Sequence, residues 1–275
     1  MPPAVDGAFA RWLAEQAGQA LMELRADERY RDDPDALRAA GDKQSHDLIT
    51  AMLARWRPGD EVLSEEGVRD DPARLDAERV WIVDPLDGTR EFGEPGRVDW
   101  AVHIGLWSRG SAAPSRLSAA AVALPAQHRV FGTDFPPGYP PMSASAAQAG
   151  PSGTGEGPDG SGTGRLRIAA SRTRPPAVLQ RVADELGATI VPMGSAGAKI
   201  IAVVTGDVDA YVHAGGQYEW DSAAPVAVAT ATGLHASRID GSALEYNQAD
   251  PKLPDLVVCR KDLASRLLAA LRSPQ

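Results

Sequence analysis

The chain has 275 residues, of which 43% are hydrophobic and 24% charged, the composition of an ordinary globular protein with enough apolar content for a sizeable core. Its formal net charge of -9 at pH 7 excludes a basic stripe that dominates the field, and with it a generic nucleic-acid or anionic-membrane partner. Small phosphorylated substrates remain open, because divalent cations held by carboxylates invert the local charge.

Residues 4 to 25 read as an amphipathic helix, with Phe9, Leu13, Ala17, Ala20, Leu21 and Leu24 recurring at helical spacing. Acids and an arginine interrupt this stretch where a signal peptide needs an unbroken apolar run, and no segment approaches the roughly 18 apolar residues of a membrane span. A cytoplasmic location is expected. A second helix is expected from about Ser45 to Trp56, with Leu48, Ile49, Met52, Leu53 and Trp56 on its apolar face, ended by Pro58-Gly59.

Short β-like runs follow. VLSEEG, residues 62 to 67, places Glu65 and Glu66 just after a short strand. VWIV at 80 to 83, WAVHIGLW, LSAAAVAL and RVFG suggest several strands of one sheet. The strongest local signal is WIVDPLDGTREF, residues 81 to 92. A hydrophobic strand delivers Asp84 at its end, Pro85 fixes a turn, and Asp87 follows three residues later. Two carboxylates this close repel each other unless something cationic sits between them. Hard divalent cations such as magnesium take ligands of this kind, and the Leu86 carbonyl is a candidate further ligand. Gly88-Thr89 then opens what reads as a helix, whose exposed N–H groups would seat a phosphate.

From Pro136 to Gly164 the chain is rich in Pro, Gly, Ser and Ala and lacks large aliphatic residues, so a flexible insertion is expected there. Gly155, Gly157 and Gly160 match GxGxxG on paper, but no strand precedes them and no helix follows, so no dinucleotide site is read from them. This divides the chain into an N-terminal lobe, 1–135, the insertion, 136–164, and a C-terminal lobe, 165–275. The second lobe alternates RLRIAAS, a helix over 176–186, TIVPM, a helix over 196–204, VDAYVH, a helix over 221–230, LHASRI, LVVC and a last helix over 262–271. That alternation points to a layered α/β architecture. YEWDSAA, residues 218 to 224, puts Asp221 at the start of a small-residue helix; alone it would be an ordinary N-cap. The single cysteine, Cys259, has no disulfide partner and reads as a buried hydrophobe.

SEE at 64–66, WIVDPLDGT at 81–89, GSAGAK at 194–199 and EWDSAA at 219–224, in this order, resemble the lithium-sensitive, magnesium-dependent phosphatase superfamily. It includes inositol monophosphatase, fructose-1,6-bisphosphatase and the bisphosphate nucleotidases. Leu86 in DPLDGT, Ser171-Arg172 after a strand, Ser195, Lys199, and Glu219 before Trp220-Asp221 bring the likeness closest to the CysQ-type 3′-phosphoadenosine 5′-phosphate phosphatases.

The resemblance implies an αβαβα sandwich. It further implies hydrolysis of the 3′-phosphate of adenosine 3′,5′-bisphosphate, and of its sulfated form, in sulfate assimilation; the alternative is an inositol-1-phosphate or fructose-1,6-bisphosphate phosphatase. Glu65, Asp84 and the Leu86 carbonyl would hold one magnesium, Asp84, Asp87 and Asp221 a second, and a third would sit near Glu65; manganese can replace magnesium. Thr89 would orient or deprotonate the attacking water with a carboxylate from the second helix. Asp47 takes that place in KQSHD, with Ser45 standing for the family's threonine. Catalysis is thus assigned to Thr89, Asp47 and Glu65, and substrate contacts to Gly88, Thr89, Arg172, Ser195, Lys199, Glu219 and Asp221. Arg174 is a further cation for a second phosphate, and Tyr218 a candidate neighbour of a base. A homodimer is implied, without a nucleic-acid polymer or a membrane. His213 has no assigned role, and His46, His103, His128 and His235 read as structural.

Overall fold

A computed structural model describes residues 1–67, 72–138 and 165–273. Residues 139–164, with most of the expected insertion and all three glycines of its GxGxxG match, lie outside the described residues.

Helix α1, Asp6–Arg25, turns Phe9, Leu13, Ala17 and Leu21 inward, as its spacing dictates. Helix α2 runs Pro34–Trp56, beginning 11 residues before the expected Ser45. Asp33 caps it, accepting from the Ala36 N–H at 2.9 Å, and Pro34 sits in the first turn where its missing N–H costs nothing. The buried stripe is Leu37, Gly41, Ser45, Ile49 and Leu53, a strict four-residue repeat. Glycine and serine fill its middle, so an aliphatic search finds only the second half.

The first sheet has five strands in sequence order: β1 Glu61–Ser64, β2 Arg79–Asp87, β3 Ala101–Ser108, β4 Leu117–Leu124 and β5 Arg129–Gly132. β1 lies parallel to β2 and the rest are antiparallel. Between β2 and β3 a single turn, α3, spans Thr89–Gly93. The second sheet contains β6 Arg167–Ser171, β7 Thr189–Met193, β8 Ala210–Ala214, β9 His235–Ser237 and β10 Asp255–Cys259, in the order β7-β6-β8-β10-β9. Its helices are α4 Leu179–Leu186, α5 Ala196–Val204, α6 Glu219–Ala231 and α7 Lys261–Arg272. α4 starts three residues after the expected Pro176.

Three apolar clusters separate the layers. Phe9, Leu13, Ile49 and Leu53 pack on the Trp81, Val83 and Ile104 face of the first sheet. Ile200, Val203, Val226 and Val228 of α5 and α6 fill the space between the two sheets, against Val80, Ile82, Tyr211 and Val258. Leu179, Val182, Leu263 and Leu267 of α4 and α7 cover the far face of the second sheet, over Ile168, Val212 and Val257. The result is the αβαβα sandwich. Cys259 is fully buried in that last cluster, and burial pushes its thiol up to about 12.

Candidate active site

The DPLD segment does not follow the end of a strand; β2 runs through it. Asp84 pairs with His103 of β3 and Asp87 with Ala101, so three steps along β2 oppose two along β3. This is a β-bulge. In a regular strand, residues three apart point to opposite faces. The extra residue cancels that parity and brings Asp84 and Asp87 to one face, together with His103 opposite. Ligand atoms of the three buried residues all lie within 4.8 Å of one another. Pro85 is tolerated at the irregularity, and the Ser45 hydroxyl of α2 donates to its carbonyl at 2.7 Å.

The other acids converge here. Glu65, just past β1, is hydrogen-bonded to Asp84, and Asp221 enters from the first turn of α6. Burial, then the charge of Asp221, pushes Glu65 up to about 7. Burial and the charge of Asp87 push Asp221 up to about 7. Asp84 is raised well above the carboxylate range by burial and by Glu65, Asp87 and Asp221. Asp87 behaves oppositely. Burial opposes its ionisation, yet His103, Lys199 and the Ser195 hydroxyl hold it down to about 2. Three buried carboxyls that resist ionising side by side are a donor set of hard oxygens suited to divalent cations.

Side chains from both halves aim these acids. Asp87 Oδ2 accepts from Ser195 Oγ at 2.5 Å and from the Gly197 N–H at 2.7 Å, at the start of α5. The Asp221 carboxylate accepts from the Tyr218 N–H at 2.7 Å, and Leu86 N–H donates to Asp84 at 3.1 Å. His103, fully buried on β3, donates Nδ1 to the Trp220 carbonyl at 3.1 Å and lies with Nε2 3.2 Å from Asp87. A Cβ on Gly197 would stand 2.0 Å from that Nε2, which is why the position holds glycine. Trp220 stacks flat against Tyr218, with ring centroids 4.8 Å apart. His103, expected from sequence to be structural, sits at the acidic cluster because β2 and β3 pair as a hairpin that sets it opposite Asp84.

Thr89 follows Gly88, whose φ of +86° suits glycine. Its hydroxyl lies 3.2 Å from Asp42 Oδ1 and 3.1 Å from the Leu86 carbonyl. The α2 carboxylate at Thr89 is therefore Asp42, not Asp47, and burial and the charge of Glu66 raise it to about 6. Asp47 is exposed and paired with Lys43 at 2.6 Å. Helical geometry explains the correction. With Ser45 facing the bulge, a residue two further on lies roughly 200° round the helix, whereas one three earlier lies about 60° away.

A cleft of about 230 Å³ opens beside the acids, between α3 and the strand ends of the second sheet. Gly88, Thr89, Arg172, Ser195, Lys199 and Asp221 all line it. Arg172 is not free: its guanidinium reaches Glu91 at 2.6 Å and Glu94 at 2.8 Å. Lys199 is buried and donates to the Gly194 and Ser195 carbonyls at 3.0 and 2.5 Å. Arg174 lines the same cleft, and among the described residues its guanidinium has no hydrogen-bonded or ion-paired partner. Glu219 departs from expectation. It is buried and accepts from the Asn247 and Gln248 N–H groups at 2.6 and 2.8 Å, so it fastens that loop to α6 and does not line the cleft. Tyr218 does not line the cleft either.

The chain matches the inositol monophosphatase family over residues 6–275. It is similar to the 3′-phosphoadenosine 5′-phosphate phosphatase of Mycobacterium bovis, 53% identical over 256 residues that cover 93% of this chain and 89% of that protein. The phosphatase of the same name from Mycobacterium leprae is 51% identical over 272 residues, covering 97% and 93%. Among solved structures, inositol monophosphatase II of Staphylococcus aureus has the same fold, with a TM-score of 0.72 at 21% identity over 94% of this chain and 92% of that one. No helix among the described residues is long and apolar enough to cross a membrane.

Proposed function

The chain belongs to the inositol monophosphatase family and is a phosphatase, and from that premise we propose that it hydrolyses the 3′-phosphate of adenosine 3′,5′-bisphosphate, and of its sulfated form, with magnesium as the metal. The observation that carries this reading is the cluster of Glu65, Asp84, Asp87 and Asp221 beside a cleft also lined by Arg174, whose guanidinium has no partner among the described residues. The names of the mycobacterial relatives support the nucleotide. The setting is sulfate assimilation in the cytoplasm, and a homodimer belongs to the same reading.

In this assignment Glu65, Asp84 and the Leu86 carbonyl would hold one cation and Asp84, Asp87 and Asp221 another; manganese would stand in for magnesium, and lithium should inhibit. The cations would lower the pKa of a water and neutralise charge on the phosphoryl oxygens. The protein's own part is positional and protic. Ser195 and the Gly197 N–H occupy one oxygen of Asp87 and leave the other for a ligand bond. Thr89 Oγ1 accepts a proton from the attacking water as its own proton passes to Asp42, ionised near neutral pH. Arg174 meets the 5′-phosphate with a planar fork of donors.

The test is phosphate release in magnesium from adenosine 3′,5′-bisphosphate, inositol 1-phosphate and fructose 1,6-bisphosphate. The nucleotide should win by more than about tenfold in kcat/KM, roughly 1.4 kcal/mol of transition-state preference. A sugar or inositol phosphate in first place would overturn the nucleotide assignment and leave the metal site standing.

A further inference from the structure

Two buried polar atoms of cleft-lining residues have no hydrogen-bond partner among the described residues: Nε2 of His213 and Oε1 of Gln217. An unpaired buried polar atom keeps its desolvation penalty uncompensated, so such atoms in a cleft wall point to a ligand that completes them. Both side chains are fixed. His213 is on β8, two residues after Tyr211 and so on the same face of the strand, and it hydrogen-bonds the Gly215 backbone. With Nε2 unpartnered, that interaction falls to Nδ1, and in the tautomer with the proton there Nε2 offers a bare lone pair. Burial and the nearby charges of Lys199 and Arg174 hold the ring's pKa down to about 4, which keeps it neutral. Gln217 is buried, tied by its side chain to the Tyr211 hydroxyl and by its carbonyl to the Leu253 N–H at 2.9 Å.

We propose that His213 and Gln217 form an acceptor pair that reads a hydrogen-bond donor on the nucleoside part of the substrate. The inference rests on the nucleotide reading above and deepens it. Phosphate oxygens, as acceptors, suit Arg174 and not this pair. What the pair selects is an N–H or O–H group, which a nucleoside offers in two places, the exocyclic amine of the base and the ribose 2′-hydroxyl. A site with buried acceptors discriminates against a ligand lacking the matching donor, because the acceptors then stay unpaired.

The experiment measures kcat/KM of the magnesium-loaded enzyme on adenosine 3′,5′-bisphosphate, on purine riboside 3′,5′-bisphosphate, which lacks the amine, and on 2′-deoxyadenosine 3′,5′-bisphosphate, which lacks the hydroxyl. It is repeated with His213→Ala and Gln217→Met. Each enzyme is compared only with itself, so a general loss of activity cancels. The native enzyme should lose about tenfold or more on one of the two analogues, which identifies the donor, and that penalty should shrink to about twofold or less in at least one variant. A native enzyme indifferent to both deletions, or a penalty that persists in both variants, overturns the proposal alone. No turnover of any nucleotide, with inositol 1-phosphate hydrolysed, overturns the nucleotide reading and this inference with it.

Discussion

Two groups of side chains at the cleft are built on opposite principles. In the acidic group, Asp84, Asp87 and Asp221 each accept a hydrogen bond from the protein, from Leu86, from Ser195 with Gly197, and from Tyr218. The Arg174 guanidinium, His213 Nε2 and Gln217 Oε1, by contrast, have no hydrogen-bond partner among the described residues. A reacting centre gains from groups already aimed before substrate arrives, since no reorganisation is then needed. A recognition surface gains from groups whose unmet bonds only the right ligand completes.

The sharpest way to break the contrast is in the acidic group. Asp84→Asn removes a central charge and should lower kcat by on the order of a thousandfold or more while circular dichroism stays unchanged. Near-normal turnover would refute the metal assignment. Asp42→Asn should come next, with kcat down by about a hundredfold, the scale of a lost general base, whereas Asp47→Ala should stay within about twofold. The reverse order would restore Asp47. In the recognition group, Arg174→Ala should raise KM for adenosine 3′,5′-bisphosphate roughly tenfold, about 1.4 kcal/mol, with kcat little changed.

The smallest effect is thermodynamic. Glu65 and Asp221, raised from 4.5 and 3.8 to about 7, hold protons in the metal-free fold at pH values where the unfolded chain has released them. Their contribution to stability is full below about pH 4 and is lost as pH rises through 7. In chelator, Tm should therefore fall by a few degrees between pH 5 and 8, and magnesium should restore more at pH 8 than at pH 5. A chelated protein whose Tm rises over that interval would contradict the clustering of these acids.

The layered architecture was legible because α1 keeps its helical aliphatic spacing and the strands keep their apolar runs. Such spacing failed in α2, where the buried positions Gly41 and Ser45 carry no hydrophobic signal. The residues of the acidic cluster could be named from local motifs, but their common face depends on a bulge that is a property of pairing, not of composition. Arg172 and Glu219 show the complementary limit. Each stands beside a matching motif, yet one is committed to Glu91 and Glu94 and the other to the 247–248 loop. Such commitments are made by residues far away in sequence and leave no local trace.

The flat stack of Tyr218 on Trp220 has a use outside the chemistry of phosphate esters. The Tyr218 N–H is bound to the Asp221 carboxylate, and Trp220 precedes that aspartate directly. Any shift of Asp221 as cations load is thus transmitted to an indole through a single hydrogen bond and one peptide unit. One of the chain's six tryptophans thus sits beside the acidic cluster, and a change in emission during a cation titration would report binding there with no label and no turnover.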